Sequence, residues 1–259
     1  MKTVILCGGQ GTRLREETEF RPKPLVEIGG RPILWHIMKM YGHYGFKAFV
    51  LCLGYRGNMI KEFFLNYGPM NNDFTISLDS PHQLNFHGTH DERDFKVTLC
   101  DTGLDSMTGS RIARIRRHVA GDDTFMVTYG DGVSDVNLHR LVEFHLGHGR
   151  IATVTTVRPS SRFGVLDIGG GGRVLSFAEK PQLDGQVSAG FFVFNREVFR
   201  YLSDDPDCIL ERDAMERLVK DEQLVAYQHD GFFHAMDTYR EFKYLNELWE
   251  TRQAPWQVW

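Results

Sequence analysis

A chain of 259 residues that is 42% hydrophobic and 25% charged has room for one large α/β domain and does not require two. Its formal charge of −4 argues against a surface that coats nucleic acid. No apolar run of about 18 residues is present, so nothing reads as membrane-spanning, and the N-terminus reads as a strand rather than a signal peptide.

In chain order, Thr3–Cys7 reads as a buried strand and Ile33–Tyr44 as a helix with Pro32 as its first residue. Ala48–Leu53 is a second strand and Asn58–Asn66 a second helix. Phe74–Leu78 and Phe95–Cys100 are strand candidates. Between them, Ser80–Asp94 (SPHQLNFHGTHDERD) is a polar excursion. Its His82, His87 and His90 match no zinc spacing and read as solvated loop residues. Ser110–Val119 reads as helix, and Thr124–Tyr129 as a central strand running into Gly130-Asp131-Gly132. Leu138–His148 is helical. Ile151–Val157, Gly164–Ile168, Val174–Phe177 and Gly190–Phe194 make a β-rich half, with Gly169–Gly172 a hairpin turn. Gly231–Ala235 is strand-like and Tyr239–Arg252 closes the chain as a helix.

This β-α-β rhythm predicts a doubly wound, mostly parallel α/β sheet covered by helices. Cys7, Cys52, Cys100 and Cys208 lack C-x-x-C spacing and read as buried, reduced thiols. A cytoplasmic enzyme is the working class.

The stretch after the first strand, Gly8-Gly9-Gln10-Gly11-Thr12-Arg13, carries the first chemistry. Glycines there let backbone N–H groups approach an anion. No G-x-x-x-x-G-K-[ST] string is present, and G-x-G-x-x-G fails because Leu14 stands where the third glycine belongs. What remains is G-G-x-G-T-R-L followed by Lys23 between Pro22 and Pro24. Arg13 and Lys23 suit a triphosphate, since charge-assisted bonds from Arg and Lys are strong.

Triphosphate chemistry usually uses Mg²⁺ held by carboxylates and phosphate oxygens. Asp131 follows the central strand, where parallel sheets bind ligands. Asp237 follows Gly231–Ala235 and doubles as an N-cap candidate for the last helix. Glu179-Lys180-Pro181 ends another strand; the lysine suits a monophosphate ester and the glutamate sugar hydroxyls, although an edge-strand ion pair is the simpler reading. Ser106-Met107-Thr108-Gly109-Ser110-Arg111 precedes a helix, where its hydroxyls either cap that helix or meet a base. Of the basic run Arg111, Arg114, Arg116 and Arg117, only Arg111 reads as a site residue.

The strings ILCGGQGTRL, RPKPLVEIGGRPILWHIMKMYG, DTGLDSMTGSR, TYGDGVSDV, RFGVLDI, FAEKP, GFFVFN, MDT and APWQVW together resemble the sugar-1-phosphate nucleotidyltransferases. TYGDGV, SMTGSR and WHIMKMY are similar to the glucose-1-phosphate cytidylyltransferase branch in particular. The resemblance implies a Rossmann-like nucleotidyltransferase fold in a single domain, residues 1–259. About 1–135 would form the nucleotide half and about 136–259 a sugar-phosphate half with a small β-rich part. It implies transfer of a cytidylyl group from CTP to α-D-glucose 1-phosphate with Mg²⁺, the same chemistry with dTTP or UTP being the neighbouring reading. A non-catalytic nucleotide-sugar sensing domain is the reading from another class. The nucleotide site would comprise Leu6, Gly8, Gly9, Gln10, Gly11, Thr12, Arg13, Lys23, Ser106, Arg111 and Gly130. Asp131 and Asp237 would hold the metal. Glu179, Lys180 and Gly190 would receive the sugar phosphate. Arg13, Lys23 and Asp131 would carry catalysis. A homo-oligomer, such as a hexameric ring, and a product feeding modified sugars of bacterial surface glycans such as O-antigen are also implied. Ser188-Ala189-Gly190 stands where the resemblance leads one to expect Asn-Gly-Gly.

Overall fold

The computed structural model describes residues 1–79, 83–159, 161, 163–179, 181–182 and 184–259, with backbone alone at 15 and 16. Its elements are β1 (Thr3–Cys7), α1 (Ile33–His43), β2 (Ala48–Leu53), α2 (Gly57–Leu65), β3 (Lys96–Asp101), α3 (Thr108–Arg114), β4 (Thr124–Tyr129), β5 (Gly132–Ser134), α4 (Leu138–His148), β6 (Ala152–Val157), β7 (Val165–Ile168), β8 (Val174–Ala178), β9 (Val187–Asn195), α5 (Met215–Lys220), β10 (Leu224–Gln228), β11 (Phe233–Ala235) and α6 (Tyr239–Glu250).

Seven strands form one sheet in the order β10-β6-β9-β4-β1-β2-β3. β1, β2, β3 and β4 pair in parallel, as do β6 and β10, while β9 runs antiparallel between β4 and β6. The mostly parallel sheet expected from the β-α-β rhythm is therefore present. Side chains alternate between its faces. Ile5 and Cys7 of β1 join a core with Ile33, Ile37, Leu141 and Leu245 on one face. Val4 and Leu6 join Ile112, Leu210 and Leu218 on the other. Burial on both faces explains why β1, β2 and β4 are continuous apolar runs rather than alternating ones.

The helix expected over Ser110–Val119 starts earlier and breaks. Helix α3 ends at Arg114, and Ile115 N bonds Ile112 O at 3.3 Å, tightening the turn before Arg116–Val119. Within the polar excursion, Leu84–Phe86 forms a short strand against Phe74–Ile76. His87 bonds Thr75 Oγ1 at 2.7 Å and His90 stands 3.4 Å from Glu92; His82 lies outside the described residues. All four cysteines are free and buried. Among the described residues, no helix is long and apolar enough to cross a membrane.

The C-terminus is part of the core. Trp256 is fully buried and its Nε1 donates to His36 Nδ1 at 3.3 Å, while His36 Nε2 donates to Ile28 O at 2.9 Å. Both ring nitrogens are thereby assigned, and the imidazole is neutral.

Candidate active site

The glycine turn leaves β1 at Cys7. Gly8 O accepts from Tyr55 N and from Arg111 Nη2, each at 3.1 Å. A Cβ at Gly8 would stand 2.1 Å from Arg111 Nη1, so no other residue fits there without displacing the guanidinium. Arg111 rises from α3 with its side chain buried. Besides Gly8 O it donates to Leu53 O at 3.0 Å, Gly103 O at 2.8 Å, Leu104 O at 3.2 Å and Thr102 Oγ1 at 2.9 Å. One guanidinium thus ties together the carboxyl ends of β1, β2 and β3. Burial pulls its pKa below the usual arginine range. The resemblance implies that Arg111 lines the nucleotide site, and it does line the cavity beside the glycine turn, while its donors hold Thr102 Oγ1 and four of the protein's own carbonyls.

Two features bring distant carboxylates together. Strand β5 pairs antiparallel with β11, Gly132 opposite Ala235. Asp131 precedes the one and Asp237 follows the other, so both lie at the same end of the ladder, where Met236 N donates to Asp131 O at 2.9 Å. The capping role falls to Thr238, whose hydroxyl accepts from Glu241 N while Glu241 answers with a bond from Thr238 N. Asp237 is therefore not the N-cap, and its carboxylate faces the site.

Lys23 enters on a one-turn helix, Lys23–Leu25, that starts behind Pro22 at φ −67°. Its ammonium is buried and donates to Asp131 Oδ2 and Asp237 Oδ1, both at 2.6 Å. Arg13 Nη1, on an exposed side chain, stands 3.1 Å from the second oxygen of Asp237. Burial pulls the Lys23 pKa down, but the two carboxylates outweigh it and the net shift is upward. The two carboxylates converge on a single cation, which is the arrangement a divalent ion needs. Among the described residues no group of three or more metal-ligating side chains occurs. Two carboxylates completed by phosphate oxygens suit Mg²⁺, which keeps several non-protein ligands.

A cavity of about 300 Å³ opens beside these groups. Leu6, Gly8, Gly9, Gly11, Thr12, Arg13, Lys23, Ser106, Arg111, Gly130 and Asp131 line it, together with Met107, Thr108 and Tyr129. Gln10 is exposed and outside that lining. The hydroxyls of the 106–110 segment do not cap α3; its N-cap, Met107, makes no side-chain bond, and Thr108 Oγ1 instead accepts from Leu210 N at 3.0 Å. A larger cavity, about 510 Å³, lies among Trp35, Phe63, Tyr67 and Glu92. It lacks the glycine loop and the converging charges, so the smaller one is the site.

The implied sugar-phosphate residues are less gathered. Glu179 is exposed just beyond β8 and does not line the cavity. Lys180 lies outside the described residues. Gly190, at φ +75°, is the close neighbour of Tyr129, whose ring lies 2.3 Å from where a Cβ at Gly190 would stand. Ser188 Oγ accepts from Gly190 N at 3.2 Å. One residue that sequence reasoning missed is Glu211, which accepts from Tyr129 Oη and from Thr108 Oγ1 at 2.7 Å. Both donors line the cavity, yet Glu211 is 82 residues from Tyr129, and no spacing pattern marks the pair.

A glycine loop, two cations and paired carboxylates at the carboxyl ends of a mostly parallel sheet define a nucleotide-binding α/β protein built for phosphoryl groups. The chain belongs to the nucleotidyl transferase family, whose model matches residues 2–250. It is 46% identical over 260 aligned residues to the glucose-1-phosphate cytidylyltransferases of Salmonella typhimurium and Salmonella typhi, covering 100% of each chain. Among solved structures, HddC from Yersinia pseudotuberculosis, complexed with GMP-PN, superposes with a TM-score of 0.69 at 21% identity, over 96% of this chain and 99% of that one.

Proposed function

We propose that the chain transfers a cytidylyl group from CTP to α-D-glucose 1-phosphate, giving CDP-glucose and pyrophosphate. The observation that carries the chemistry is Lys23 Nζ at 2.6 Å from both Asp131 and Asp237 beside the glycine turn. The full-length similarity to the Salmonella enzymes supports the choice of CTP and glucose 1-phosphate.

A phosphate oxygen of the sugar ester attacks the α-phosphorus of CTP. The new P–O bond forms as the α–β bridge breaks, and pyrophosphate leaves with the electron pair. The attacking phosphate is ionised near neutral pH, so no general base is needed. Both reactants are anions, and repulsion is the main obstacle. Lys23 and Arg13 offset it and stabilise charge on the α-phosphate. Leu6, Gly8, Gly9, Gln10, Gly11, Thr12, Ser106 and Gly130 cradle the nucleotide. Arg111 fixes the loop beneath it. Glu179, Lys180 and Gly190 receive the sugar phosphate, with about 136–259 as the sugar half and about 1–135 as the nucleotide half. Asp131 and Asp237 would hold Mg²⁺, which when bound would screen the phosphate oxygens.

The chain works as a homo-oligomer in this reading. Leu166, Ile168, Leu175 and Phe177 of the β7–β8 hairpin are all exposed, and an isolated two-stranded hairpin is marginal in water. A second copy would cover it. Four buried free thiols fit a reducing cytoplasm.

The test is pyrophosphate release from CTP, UTP, dTTP, ATP and GTP, each with glucose 1-phosphate and Mg²⁺. CTP is expected to be turned over fastest. Preference for UTP or dTTP would move the assignment to another nucleotide, and no release with any of them would leave a nucleotide-sensing domain.

A further inference from the structure

We propose that Lys23 is a resident cation: before nucleotide binds, its ammonium holds the place between Asp131 and Asp237 that the metal takes later, and it exchanges those carboxylates for phosphates when the two arrive together. This rests on the metal-dependent reading above.

The geometry is specific. Lys23 Nζ is 2.6 Å from one oxygen of each carboxylate, and its side chain is only 10% exposed. The remaining oxygen of Asp237 is matched by Arg13 at 3.1 Å. Two carboxylates thus face two cations supplied by the chain itself. A divalent ion arriving alone would meet an ammonium already bonded to the oxygens it needs, and would be repelled by it. A metal–triphosphate complex differs, because it brings new anionic partners for Lys23 along with the replacing charge. Pro22 and Pro24 fix the backbone on either side, so the exchange is a swing of the flexible lysine stem. At no point is the ammonium buried without a partner. The arrangement screens the site against free divalent ions and couples metal entry to nucleotide entry.

A site occupied by a competing group for most of the time shows an apparent affinity lowered by the fraction of time it is open. The experiment is titration with Mn²⁺ in the absence of nucleotide, followed by electron paramagnetic resonance of the free ion. Wild-type protein is compared with Lys23→Met, and with Lys23→Met carrying Asp131→Asn. Lys23→Met is expected to bind Mn²⁺ about tenfold tighter or more than wild type. Adding Asp131→Asn is expected to abolish the gain. Should Lys23→Met lose the native circular dichroism spectrum, Lys23→Gln carries the same comparison with a polar side chain. Binding by a folded Lys23 variant no tighter than wild type overturns the proposal, as does a gain that survives Asp131→Asn. No turnover enters the readout. A chain that shows the Mn²⁺ gain but releases no pyrophosphate keeps this role for Lys23 and loses the proposed reaction.

Discussion

Met236 donates its N–H to the carbonyl of Asp131 at 2.9 Å, continuing the β5–β11 ladder by one step beyond its last paired strand residues. That bond places the side chains of Asp131 and Asp237 at one end of a two-stranded ribbon, 106 positions apart in the chain (237 minus 131). Lys23, fixed by its flanking prolines, closes the triangle.

Lys23→Ala is expected to lower turnover by about a hundredfold or more, because a cation facing developing phosphate charge is lost. The fold should persist, since Lys23 belongs to neither core cluster and Asp131 and Asp237 keep side chains 30% and 19% exposed to water. Pyrophosphate release and circular dichroism on one sample check both halves.

Arg111→Ala removes the guanidinium from four carbonyls; Gly8 O keeps Tyr55 N and Leu53 O keeps Thr102, while Gly103 O and Leu104 O lose their bond. Both are within reach of water, which recovers part of the loss, so a net cost of about 1–2 kcal/mol is expected in denaturant unfolding. Arg111→Lys should not rescue it, because one ammonium cannot span three strand ends.

Glu211→Ala frees Tyr129 and Thr108 at the pocket wall. The expected result is kcat/KM lowered by about tenfold, with little change in unfolding midpoint because Glu211 is exposed. Steady-state kinetics with varied CTP give the measurement.

How far the sequence discloses this molecule depends on range. Strands β1, β2 and β4 are legible because parallel strands covered on both faces must be apolar throughout. Lys23 and Asp131 are legible because proline and glycine neighbours mark fixed backbone. Thr238-Tyr239-Arg240-Glu241 is a capping box in plain view, and it outcompetes Asp237 for the cap. The Glu211–Tyr129 pair and the Trp256–His36 contact are of a different kind. Each joins positions that only the folded sheet brings together, and neither residue type nor spacing predicts them. Arg111 is legible as a site residue, but its bonds to the ends of three strands are not, since a buried arginine bonding carbonyls and one bonding phosphate look alike in sequence.

The Trp256–His36 contact has two consequences. Trp256→Ala empties a fully buried indole site and is expected to cost about 3–5 kcal/mol, read as a fall in Tm. Burial also pushes the His36 pKa from 6.5 down to about 4. The folded chain then binds fewer protons than the unfolded chain between those values. Stability is full above pH 6.5 and falls as pH drops towards 4, by up to about 3 kcal/mol from His36. His118, His145 and His148, also shifted downward, add to the same slope. Urea midpoints at pH 7.5 and 5 should differ in wild type and differ less in His36→Asn.

In the proposed reaction Asp131, Asp237 and Lys23 act as one centre. Its most direct test is pyrophosphate release from CTP and glucose 1-phosphate with Mg²⁺, measured for wild type, Asp131→Asn and Asp237→Asn, each verified as folded. Wild type should release pyrophosphate, and both variants should fall by about a hundredfold or more. Turnover near the wild-type rate in either folded variant would contradict the account.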